Sequence, residues 1–67
     1  MIPNLDIWRS ASVLVKRHGP DAPIQAATRA DAMLEVGDVE GYAVWKRILR
    51  AVEELQGTVS KSGEVVN

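Results

Sequence analysis

His18 is the only histidine in a chain that has no cysteine, so pairings of a nucleophile with an imidazole base reduce to one candidate base. It stands in the last turn of a predicted helix, just before Gly19. There an imidazolium faces the carbonyl end of the helix dipole, and a capping or packing role accounts for it. Ser-His and Cys-His schemes are nearly excluded. Asp31 and Glu35 lie four residues apart on one predicted helix face and could both address a divalent cation. Hard cations ask for roughly six to eight oxygens, mostly gathered from loops, so this pair reads better as a solvated acidic face. Asp38 is explained as a helix cap and Glu40 as a first-turn acid facing the positive helix end. The glycines at 19, 37, 41, 57 and 63 form neither a GxGxxG nor a GxxxxGK[ST] pattern, and none follows a predicted strand. No catalytic residue, metal ligand set or cofactor is expected, and the chain is read as a non-enzyme.

The cations can do a different chemistry, the binding of phosphates and other anions. Lys46, Arg47 and Arg50 cluster on the polar side of a third predicted helix, while Arg9 and Lys16 line the polar side of the first. With these helices adjacent, the five residues would form one basic patch. Glu53 and Glu54 fall within a turn of Arg50 and neutralise part of it. Eight Lys plus Arg against nine Asp plus Glu leave a net charge of −1, which lacks the one-signed field of nucleic-acid or anionic-membrane binders. Arg29, at the edge of an apolar arc, is expected to lay its stem over the core and pair with a carboxylate of a neighbouring helix.

These residues must be positioned by helices, because no segment sustains the period-two alternation of strands. Asn4, Asp21 and Asp38 read as N-caps, and Gly19, Gly37 and Gly57 stand where helices end. The punctuation predicts helices over about Leu5 to His18, Ala22 to Val36 and Val39 to Gln56. At about 100° per residue, the first buries Ile7, Trp8, Ala11, Leu14 and Val15. The second presents Ala26, Ala27, Ala30, Met33 and Leu34, an unusually flat face. The third has the widest arc, with Val44, Ile48, Ala51, Val52 and Leu55 on one flank and Tyr42, Trp45 and Leu49 on the other.

The short Gly37-Asp38 joint forces helices two and three into an αα-hairpin, and helix one must cover the remaining seam. The predicted fold is therefore an all-α, three-helix domain over residues 1–57. Both indoles are expected to touch the alanine-rich helix, since bulky and small faces complement each other. Gly41, costly inside a helix, implies a close approach to helix one or two near the turn. Three small helices with a tight turn also raise the DNA-binding helix-turn-helix, but the second motif helix would bring Asp38 and Glu40 to the phosphates.

Sixty-seven residues bury only about 60% of their unfolded surface on folding, so an oligomer or partner that covers more apolar area is a live expectation. The absence of cysteine removes disulfide and zinc staples and fits a reducing cytoplasm. The start of the chain lacks the pattern of a signal peptide, and no stretch approaches the roughly 18 apolar residues of a membrane span. Residues 58–67, polar and broken by Gly63, read as a flexible tail, with Val65-Val66 adding to a partner's sheet edge or groove as the alternative.

Ile7-Trp8-Arg9-Ser10, Lys16-Arg17-His18-Gly19, Arg29-Ala30-Asp31, Gly37 to Gly41 and Val44 to Ile48 together resemble a family of small alphaproteobacterial hypothetical proteins. The resemblance spans roughly residues 5 to 56 and implies kinship without an activity. Gly37-Asp38-Val39-Glu40-Gly41-Tyr42-Ala43 is also similar to the opening of a tetratricopeptide helix, but helices two and three show no repeat that would build a solenoid.

The residues therefore point to a small non-catalytic protein-interaction or accessory module, binding a protein partner or itself as a homodimer. Trp8, Tyr42, Trp45 and Leu49 are its candidate interface. If the monomer leaves one flank of the wide arc uncovered, that flank is the interface; if it covers both, these side chains are core. The alternative is a weak nucleic-acid or anion binder using Arg9, Lys16, Lys46, Arg47 and Arg50.

Overall fold

The computed structural model describes residues 3–57, and all regular structure within them is helical. Helix α1 spans Asn4–His18, a 3₁₀ turn spans Gly19–Asp21, α2 spans Ala22–Glu35 and α3 spans Val39–Gln56. No non-helical residue separates α1 from α2, so residues 4–35 form one helical stretch folded at its 3₁₀ turn. The tail expected at 58–67 lies outside the described residues.

One predicted cap is corrected. The N-cap of α1 is Pro3, whose carbonyl accepts from Asp6 N–H at 3.0 Å and Ile7 N–H at 3.2 Å. The Asn4 side chain is engaged elsewhere: its Oδ1 accepts from Arg47 Nη2 at 2.8 Å. Asp21 stands at the N-cap of α2 as expected, although its side chain makes no capping bond there. Asp38 does cap α3, its Oδ1 accepting from Gly41 N–H at 2.9 Å.

The end of α2 explains the tightness of the hairpin. Asp38 N–H donates to Met33 O at 2.8 Å and Gly37 N–H to Leu34 O at 3.0 Å, the paired bonds of a Schellman motif. That motif needs a left-handed residue, and Gly37 supplies it with φ of 80°. At the opposite end of the molecule, Gln56 Nε2 donates to Gly19 O at 2.7 Å and ties the end of α3 to the α1–α2 fold. With Arg47 on Asn4 and Gln56 on Gly19, α1 and α3 run in the same general direction, and α2 runs back between the two turns.

The core is built largely from methyl groups. Ile7, Ala11 and Leu14 of α1, Ala22 and Ala26 of α2, and Ile48, Ala51 and Val52 of α3 form one buried cluster, with Val15, Val44, Trp45 and Leu49 packed against it. Ala22, Ala26 and Ala30 recur every four residues and make the flat face of α2, although Ala22 was absent from the predicted arc. Leu34 and Leu55, expected inside, are 53% and 50% exposed, each in the last turn of its helix.

Gly41 is crowded as expected, but by side chains rather than by backbone. A Cβ there would lie 2.6 Å from Asp38 Oδ2 and 2.8 Å from Met33 Sδ.

Candidate functional site

The α3 flank of Tyr42, Trp45 and Leu49 is half-buried, and the chain covers much of it itself. Trp45 and Leu49 pack on the core cluster. The Arg29 guanidinium lies 5.3 Å from the Trp45 ring centroid, because the antiparallel hairpin sets residue 29 of α2 opposite residue 45 of α3. Arg29 was expected to meet a carboxylate; it meets an indole face instead. Lys46 Nζ lies 5.8 Å from the Tyr42 ring centroid, one turn along the same helix.

Trp8 differs from its aromatic companions. It is 38% exposed and lines a shallow cleft of about 160 Å³ with Asn4 and Ile7 of its own helix and Arg47, Arg50, Ala51 and Glu54 of α3. The cleft that Trp8 lines is an α1–α3 feature, whereas Trp45 meets the alanine-rich helix through Arg29.

Three of the five cations expected to act together do share one place. Lys46, Arg47 and Arg50 line a hollow with Leu49 and Glu53, and Arg47 and Arg50 also rim the Trp8 cleft. Arg9 and Lys16 are exposed on α1 and line neither hollow. Glu53 in one hollow and Glu54 in the other offset part of the positive charge.

A second apolar surface escaped the sequence reading. At the hairpin tip Val36 is 75% and Val39 69% exposed, next to Leu34. Glu35, Asp38 and Glu40 are exposed beside them, and no Lys or Arg occurs between Arg29 and Lys46. The available signal was two valines flanking Gly37-Asp38, at turn positions where polar residues are the rule.

His18 is half-buried at the end of α1, Asp31 and Glu35 are exposed, and no cluster of three or more His, Asp or Glu able to hold a metal occurs among the described residues. A hollow at the 3₁₀ turn is lined by Gly19, Pro20, Pro23, Glu53 and Gln56, with Glu53 the one titratable side chain among these described residues. No helix among the described residues is long and apolar enough to cross a membrane. Comparisons with protein-family models, with curated proteins and with solved structures found no match to this chain.

Proposed function

We propose that the chain is a non-catalytic protein-interaction module that self-associates in the cytoplasm, built as a three-helix unit in which α1 covers the α2–α3 hairpin. One observation carries the reading: the distribution of apolar bulk. Among the described residues, five of the nine buried hydrophobic side chains are alanines, while Leu5, Trp8, Ile24, Val36 and Val39 are among the large apolar side chains left exposed. A buried methylene contributes about 0.8 kcal/mol, so an alanine core gains little and the outer side chains hold most of the unused apolar area. A partner surface recovers it. The cytoplasmic assignment rests on the absence of cysteine, and kinship with the small alphaproteobacterial family rests on the motifs alone.

Sedimentation equilibrium over a wide concentration range at moderate salt tests this reading. The expected result is a mass that rises above one chain as concentration increases. A strict monomer up to the highest soluble concentration overturns it.

The grouping of Lys46, Arg47 and Arg50 in one hollow favours a second reading, a weak anion-binding face. Titration with single-stranded and duplex DNA separates the two, because binding through phosphates weakens steeply as salt rises. Salt-independent or absent binding eliminates the second reading.

A further inference from the structure

The hairpin tip exposes apolar side chains among acids, and the Trp8 cleft is apolar with arginines on its rim. We propose that one copy of the chain seats its tip, with Val36 leading and Leu34 and Val39 beside it, in the Trp8 cleft of a second copy. This inference rests on the self-association reading above and names the surfaces that meet.

Among the described residues Val36 is the most exposed of the large apolar side chains, and it follows the last residue of α2 at the point where the chain reverses through Gly37. The tip is convex and already fixed by the Schellman bonds and the Asp38 cap, so docking it requires little ordering. The cleft is concave, with Ile7, Trp8 and Ala51 supplying apolar walls. Its volume of about 160 Å³ suits one aliphatic side chain, since an apolar cavity of about 150 Å³ accommodates a benzene-sized guest.

Charge selects the same pairing. The tip presents Glu35, Asp38 and Glu40 with no cation nearby in sequence, whereas the described lining of the cleft includes Arg47, Arg50 and Glu54. The neighbouring hollow adds Lys46 and Glu53. Arg47 is steadied by its bond to Asn4, and Arg50 is exposed at the rim.

One copy cannot fill its own cleft. Asp38 and Arg50 are separated along the rigid α3 by twelve residues, about 18 Å at 1.5 Å per residue. Tip and cleft on the same chain are thus held apart, and the contact must join two molecules.

The test uses two full-length variants, Val36→Lys, which spoils the tip and keeps the cleft, and Arg50→Glu, which spoils the cleft and keeps the tip. Both positions are exposed, and circular dichroism checks that helix content is retained; Val36→Ser with Arg50→Ala replaces the pair if either charge change unfolds the chain. In sedimentation equilibrium each variant alone is expected to associate at least tenfold more weakly than the parent chain. Mixed in equal amounts, they are expected to form a one-to-one heterodimer, because each still offers the surface that the other needs. Variants that self-associate as tightly as the parent, or a mixture that stays monomeric while the parent associates, overturn the tip-to-cleft contact and leave self-association standing. A parent chain that stays monomeric removes both.

Discussion

The Asp38 carboxylate decides what residue 41 can be. One oxygen accepts the Gly41 N–H, and the other occupies the space that a Cβ at position 41 would need, with Met33 Sδ close behind. Alanine gains about 1 kcal/mol over glycine in a helix interior, and an N-cap is worth about the same. Gly41→Ala is therefore expected to leave stability nearly unchanged, because its helix preference is offset by displacement of the cap. In an Asp38→Ala background, itself about 1 kcal/mol less stable, the same change becomes stabilising. Urea denaturation of the four proteins measures the coupling; additive effects would show that the cap does not govern position 41. The Arg29 guanidinium makes a similar case across the hairpin. Arg29→Ala is expected to cost about 0.5–1 kcal/mol and to shift the emission of Trp45, read in a Trp8→Phe background where it is the sole indole. An unchanged spectrum would mean that the cation does not sit on the ring in solution.

The helices depend on their joints more than on their middles. Gly19 holds φ of 55° and ψ of −128°, a conformation that side chains strain to adopt, although a Cβ there would meet no neighbouring atom. Gly19→Ala is expected to cost about 1–3 kcal/mol through backbone strain alone. Gln56→Ala, which removes the bond from α3 to the Gly19 carbonyl, should cost about 1 kcal/mol. Thermal denaturation followed at the helical circular-dichroism band checks both, and a Gly19→Ala loss below that of Gln56→Ala would contradict the strain argument. These joints also mark how far the sequence could be read. Gly19, Gly37 and Gly57 and the Asp38 cap announced where helices begin and end, because such signals act over one turn of chain. Asn4 misled because its partner, Arg47, is 43 residues away, and no local pattern carries that contact. Trp8 and Trp45 occupy comparable places on their helical wheels, yet only the crossing of α1 over α3 leaves one beside a cleft and the other under Arg29. The basic face divided for the same reason: spacing places Arg9 with Lys16 and Lys46 with Arg50, but only packing decides whether the two groups meet.

At the scale of the whole molecule, acids gather around the α2–α3 turn and cations along the middle of α3, even though the total charge is only −1. Such a pattern makes association depend on salt without making the protein a polyelectrolyte, since screening sets in over about 10 Å at 0.1 M ionic strength. Self-association through tip and cleft is accordingly expected to weaken by severalfold between low and high salt in sedimentation equilibrium; strengthening with salt would point to purely apolar contacts. The alanine stripe of α2 has a thermal consequence as well. Heat capacity rises on unfolding in proportion to the apolar surface newly wetted, typically about 12–15 cal/mol/K per residue. A core of Ala11, Ala22, Ala26, Ala30 and Ala51 around a few larger side chains wets less, so calorimetry of the dilute chain should give a value below that range. Its free energy would then change gently with temperature, giving a low, broad dome in which warming and cooling by the same interval cost this protein little.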